Sequence, residues 1–184
     1  GQGPQHSQAL HAWFAHIPGL KVVLPATAYD AKGMLIAAVK DENPVVFLEH
    51  RWLYNIKDAV PESGYEIPLD KAVIKRKGAD VTLIGISYMT LECLRAADLL
   101  AEQGVDAEVI DLRSVRPVDY NSLLASAEKT GLAVIVDNAA LIGSIASEIA
   151  SVLCAKLFST LSRAPMTIGL PDHPVPTSPQ LSES

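Results

Sequence analysis

Apolar and polar positions along the chain follow two regimes: short continuous apolar runs, and longer stretches in which apolar residues recur every three to four positions. The first regime marks buried strands and the second amphipathic helices. Near the start, Leu10, Trp13 and Phe14 fall at helical spacing, so residues 9–16 are predicted as a short helix that stops at "IPG". "LKVVLP" then reads as a short buried strand. Residues 30–40 read as an amphipathic helix with Asp30 as N-cap and Met34, Leu35, Ala38 and Val39 at its apolar positions, followed by a strand in "PVVFLEH". Strand, helix and strand in succession predict a βαβ unit.

Residues 55–71, "NIKDAVPESGYEIPLDK", show no consistent period and carry two prolines and a glycine, which predicts an extended linker and a domain boundary. Beyond it the alternation restarts with strands in "AVIKR", "DVTLIGI", "AEVIDL", "LAVIVD" and "PMTIGL", separated by helices over about 91–103, 120–129 and 144–158. Continuous apolar strands between helices of this length predict a mostly parallel sheet covered on both faces.

With 184 residues, 49% of them hydrophobic, the chain can bury a real core as one large domain or two small ones. A net charge of −6 without a Lys/Arg cluster argues against nucleic-acid binding through phosphate neutralisation. Apolar runs such as "LAVIV" are far below the roughly 18 residues of a membrane span, and no signal segment opens the chain, so no membrane partner is expected. Cys93 and Cys154 lie in apolar helical patterns without metal or disulfide spacing, and both are expected to be buried reduced thiols. The abrupt start on "GQGPQH" and the ending "TSPQLSES" suggest a fragment. No dinucleotide fingerprint, Walker A, HExxH or GxSxG motif occurs. The residues alone say α/β, two units, enzymatic.

The stretch "QHSQALHAWFAHIPGLKVVLPATAYDAKGMLIAAVKDENPVVFLEH", with "YEIPLDKA", "GADVTLIGIS", "AADLLAEQGVDAEVIDLRSVRPVD" and "PDHPVP", resembles the beta subunit of the thiamine diphosphate-dependent 2-oxo acid dehydrogenases, which are transketolase-like. Their complexes act oxidatively on pyruvate, branched-chain oxo acids or acetoin and pass the acyl group to lipoyl groups. The resemblance implies an α/β chain in which residues 1–62 are the C-terminal part of a pyrimidine-binding domain and 63–71 a linker. Residues 72–184 would be a transketolase C-terminal-type domain with a mostly parallel five-stranded sheet. It implies thiamine diphosphate shared with an alpha subunit, which holds the diphosphate and magnesium. It further implies a second beta subunit in a heterotetramer and a lipoyl acyltransferase core. The compartment would be the cytoplasm in a bacterium and the mitochondrial matrix or plastid in a eukaryote. The glutamate that activates the thiamine ring in such enzymes belongs to the part of the pyrimidine-binding domain that precedes this stretch, so the isolated chain is expected to be inactive. Two departures stand out: "VDNAALIGSIASEIA" keeps only Gly143 of a usual acidic and glycine-rich turn, and the family's closing helix is absent. The alternatives are a non-catalytic dimerisation or docking module, or the C-terminal part of a transketolase or deoxyxylulose phosphate synthase.

By this resemblance, His6 in "QHSQ" reaches the thiamine-bound reaction centre, where an imidazole suits proton transfer or acyl steering. The competing reading is an exposed loop residue. His11 and His16 are weaker candidates, with His16 placed to favour a helix C-terminus. His50 could line a subunit interface or simply pack, and His173 lies in a proline-rich loop. The equivalent of "AAVKDENP" curls around potassium in the family, which makes the backbone carbonyls of Ala38, Val39, Asp41 and Asn43 candidates. An ordinary helix end whose orphan carbonyls bind water is the alternative. The sequence leaves the identity of the oxo acid open.

Overall fold

The computed structural model describes residues 3–178 and residue 180, so both chain ends discussed above lie partly outside the described residues. The chain enters through two short helices, α1 (Gly3–His6) and α2 (His11–Ala15). Helix α2 does not bury the expected apolar face: Leu10 and Trp13 are exposed, Trp13 by 71%, whereas His11 and Ala15 are buried. A polar residue is tolerated inside because His11 finds a charged partner there, Asp137, 3.1 Å away.

Strand β1 (Lys21–Val23) and strand β2 (Val45–Phe47) pair in parallel around helix α3 (Ala28–Lys40), which is the expected βαβ unit. The helix starts two residues earlier than the sequence suggests, because Thr27 and not Asp30 is its N-cap. The Thr27 hydroxyl oxygen accepts the Asp30 N–H at 3.1 Å and donates to the Asp30 carboxylate at 2.7 Å. Asp30 is thereby the third helical residue and fully buried. After β2 a single 3-10 turn (Arg51–Leu53) is capped by His50.

Residues 55–71 form neither helix nor strand, yet part of the stretch is packed. Ile67 and Leu69 are buried against Val23 and Met34, and Tyr65 packs beside them. The alternation Tyr65, Ile67, Leu69 is the period of an extended chain lying on a surface. Gly33 of α3 makes room for it, since a Cβ there would come within 2.7 Å of both Tyr65 and Ile67.

The second unit runs β3 (Val73–Arg76), β4 (Val81–Gly85), α4 (Met89–Glu102), β5 (Ala107–Asp111), β6 (Ser114–Arg116), α5 (Tyr120–Thr130), β7 (Ala133–Ala140), α6 (Ile145–Leu157) and β8 (Met166–Leu170). Its five-stranded sheet has the order β3-β5-β4-β7-β8, parallel except for β3, as expected. Standard chemistry ends the helices: Asp119 and Ser144 cap α5 and α6, and Gly131, with φ 69°, closes α5.

The two units share structure. Strand β6 leaves the second unit to pair antiparallel with β1, giving a three-stranded sheet β2-β1-β6. Ala15, Val22 and Leu24 join Ile84, Ile110, Leu112 and Val115 in one continuous core. Each fully buried residue of this kind contributes roughly 1.5–3 kcal/mol.

Candidate active site

Strand β4 is followed by β5 on one side of the sheet, and the chain then crosses back to β7 on the other. In a parallel sheet the crevice at such a reversal, outside the carboxyl ends of the strands, is the usual place for a ligand. An open cleft of about 1000 Å³ lies there. Its floor is Met89 at the start of α4 with Val136, Asp137 and Asn138 of β7 and the end of β8. Its other wall belongs to the first unit: His6, Ser7 and Gln8 beyond α1, and Glu49 to Trp52 beyond β2.

His6 sits in the last turn of α1, exposed on the cleft wall, so it is part of a short helical turn and not of a loop. The turn is held by Ser7 N donating to the Gly3 carbonyl at 3.2 Å and Gln8 Nε2 donating to the Pro4 carbonyl at 2.9 Å. His50 faces the same cleft. Its ring stacks on Tyr88 at 5.0 Å and meets Trp52 edge-on at 5.7 Å, while Trp52 and Tyr88 touch at 5.1 Å. Burial lowers the His50 pKa, and its Nδ1 accepts the Trp52 N–H at 3.3 Å. Both effects favour the neutral ring with its proton on Nε2. The cleft therefore holds one exposed imidazole and one half-buried imidazole kept as a hydrogen-bond donor.

His11 is buried behind the cleft. Its Nε2 lies 3.1 Å from Asp137 Oδ2, and the other carboxylate oxygen of Asp137 accepts the Ala139 N–H at 3.1 Å. The pair fastens the helix that follows His6 to the strand end forming the floor. Only its 3-4 spacing to Phe14 and Ala15 hinted that His11 points inward. His16 is the exposed C-cap residue of α2, and His173 lines the cleft mouth. Cys93 is buried, which pushes its thiol up to about 12, whereas Cys154 is only partly buried, contrary to expectation.

The four residues proposed for potassium fall in the last turn of α3 and just after it. The Ala38 carbonyl accepts the Asp41 N–H at 3.3 Å. The Asp41 carboxylate is engaged by the Lys21 ammonium and by both N–H groups of Asn43, and this holds it down at about 2. A cation here would thus be held by backbone carbonyls and not by the Asp41 carboxylate, and the Ala38 carbonyl already accepts the Asp41 N–H. Among the described residues no helix is long and apolar enough to cross a membrane.

Two α/β units meet at this cleft, and each resembles a family of known proteins. The family description "Transketolase, pyrimidine binding domain" matches residues 1–57, and "Transketolase, C-terminal domain" matches residues 70–184. The chain belongs to the transketolase family. It is 46% identical over 179 residues to acetoin:2,6-dichlorophenolindophenol oxidoreductase subunit beta of Bacillus subtilis, covering 97% of this chain and 52% of that one. It is 42% identical over 174 residues to pyruvate dehydrogenase E1 component subunit beta of the same organism, covering 94% and 54%. A solved structure titled "Split gene transketolase, inactive beta4 tetramer" superposes with a TM-score of 0.74 at 27% identity, covering 88% of this chain and 52% of that one. The chain spans about half the length of these relatives.

Proposed function

We propose that the chain contributes the beta-subunit side of the active site of a thiamine diphosphate-dependent 2-oxo acid dehydrogenase, acting on pyruvate, a branched-chain oxo acid or acetoin. What carries the reading is that His6 and His50, both from the first unit, face one cleft floored by the strand ends of the second. The wall of His50 and Trp52, against which Tyr88 packs, fits a planar heteroaromatic ring. The cofactor, when bound, supplies the electron sink for decarboxylation. His6, exposed on the wall, moves a proton at the reacting centre or steers the acyl group to a lipoyl arm. His50, whose charged form burial disfavours, donates from Nε2. His11 and Asp137 hold the His6 segment against the floor.

The diphosphate and magnesium are assigned to an alpha subunit, the second beta subunit completes a heterotetramer, and a lipoyl acyltransferase core receives the product. The compartment follows the source: cytoplasm in a bacterium, mitochondrial matrix or plastid in a eukaryote. The domain limits proposed for this assembly are 1–62, 63–71 and 72–184. The test is turnover of the intact enzyme containing this chain, with its alpha subunit, thiamine diphosphate and magnesium. Reduction of 2,6-dichlorophenolindophenol is followed with each candidate substrate. Dye reduction by at least one of them is expected, and none by any would overturn the reading.

A second reading, a non-catalytic assembly module, is favoured by one observation: the similar solved structure is named an inactive tetramer of beta chains. It predicts self-association without turnover even when the alpha subunit is supplied.

Potassium at the turn of Ala38, Val39, Asp41 and Asn43 is part of the same proposal. Carbonyl oxygens suit a hard cation. The melting temperature of the intact assembly is expected to rise more with potassium than with an equal concentration of lithium. Equal shifts would reduce the effect to ionic strength.

A further inference from the structure

Four charged side chains meet where the two units join, away from the cleft: two buried acids, Asp30 and Asp111, and two half-buried cations, Lys75 and Arg113. Asp30, in the first turn of α3, is fully buried and pairs with the Lys75 ammonium at 2.8 Å and with the Arg113 guanidinium. Asp111, at the end of β5, is also fully buried and lies 3.8 Å from Lys75 Nζ. Its Oδ1 accepts from the Thr90 hydroxyl at 3.3 Å and from the Arg113 N–H at 3.2 Å. Among the described residues, neither Asp111 Oδ2 nor Arg113 Nε has a hydrogen-bond partner.

Arg113 crosses the seam twice, since its carbonyl also accepts the Leu24 N–H at 2.7 Å. It does so from a left-handed backbone conformation, φ 59°, unusual for a residue with a side chain. Thr90 belongs to the first turn of α4, which opens beside Tyr88. Tyr88 in turn stacks on His50 and touches Trp52 of the first unit. Asp111 is thus tied through Thr90 to the start of α4, whose N-cap residue Tyr88 touches His50 and Trp52 on the cleft wall.

The geometry points to a proton-operated latch: Asp30, Lys75, Asp111 and Arg113 hold the two units together at the seam, and the charge on Asp111 sets how tightly the cleft is closed. With both acids ionised the cluster is neutral but leaves a buried carboxylate oxygen and a guanidinium N–H unsatisfied, a cost that entering water would relieve. A proton on Asp111 removes the unsolvated charge. The groups facing Asp111 are Lys75 on β3, Asp30 on α3, Arg113 in the turn before β6, and Thr90 and Cys93 on α4. Burial raises the Asp111 pKa, Lys75 and Arg113 oppose this, Asp30 adds to it, and the result is about 6. The closed seam is the form that raises this pKa, so it binds the proton more tightly than an opened, hydrated seam. Linkage then requires acid to favour closure and a rise through pH 6 to favour opening.

The chain carries its own reporter. Trp13 and Trp52 are its two tryptophans, so Trp13→Phe leaves Trp52, which touches Tyr88 across the seam, as the sole emitter. His50→Gln is added so that a titrating imidazole beside Trp52 does not imitate the effect. Acrylamide quenching of Trp52 in this double variant is expected to rise in a one-proton step centred near pH 6. Adding Asp111→Asn should abolish the step and hold the acid-form value at pH 7.5. Lys75→Gln, which removes a cation that lowers the Asp111 pKa, should move the midpoint upward, with folding of each variant checked by circular dichroism. Absence of the step, its persistence after Asp111→Asn in folded protein, or an unmoved midpoint after Lys75→Gln would each overturn the latch.

Discussion

Exchange of His6 for asparagine is expected to slow 2-oxo acid oxidation by the intact enzyme roughly 10²–10⁴-fold, the usual worth of a positioned proton-transfer group. Asparagine keeps the approximate size and one hydrogen bond but removes the titratable nitrogen. His6 is exposed at the end of a four-residue helix, so stability should change by no more than about 0.5 kcal/mol. Loss of rate without loss of fold would separate a catalytic imidazole from a packing residue. Cofactor binding should survive, because the ring wall is built by His50 and Trp52. If both decarboxylation and lipoyl acylation stay within about threefold of wild type, under about 1 kcal/mol of barrier, His6 is only a surface residue.

Much of the fold was legible because its signals are local. "VTLIG" and "AEVID" are strands whose apolar residues can be seen without knowing their neighbours, and the caps at Asp119, Ser144 and Gly131 announce helix ends within a few residues. What escaped depended on distant partners. Strand β6 has three residues and exists only because β1 pairs with it. His11 was only a weaker candidate in the sequence, because the residue it meets in the interior, Asp137, is 126 positions away. Glu108 and Asp111 are charged residues in a fully buried strand, and their partners Lys129, Lys75 and Arg113 lie elsewhere in the chain. His50 was visible as a strand end, but its stacking on Tyr88, which makes it a cleft residue, joins the two units. Residues 55–71 were expected to be extended, but the packing of Tyr65, Ile67 and Leu69 was hidden by the prolines and charges around them.

Exchange of Asp30 for asparagine is expected to destabilise the chain by about 3–5 kcal/mol, the cost of breaking a buried ion pair from one side. The half-buried Lys75 and Arg113 cations would be left with Asp111 as their sole acidic partner in the cluster, and the first turn of α3 would lose the carboxylate that accepts the Thr27 hydroxyl. The two acids impose opposite pH dependences. Burial alone would raise the Asp30 pKa, but Lys75, Thr27 and Arg113 outweigh it, so the folded-state value lies below the ordinary 3.8. Its stabilising contribution is present above pH 3.8 and lost as the pH falls below that. Asp111, raised to about 6, works the other way: its contribution is full below 3.8 and is lost as the pH rises through 6, a swing of about 3 kcal/mol. Without the Asp30 charge, Asp111 faces two cations and no second acid, so its pKa should fall and the stability gained on mild acidification should disappear. Urea unfolding at several pH values is therefore expected to show a larger deficit for Asp30→Asn at pH 5 than at pH 7.5, narrowing again below pH 4. A deficit under about 1 kcal/mol at pH 7.5, the range of a surface ion pair, would mean that the cluster does not hold the units together.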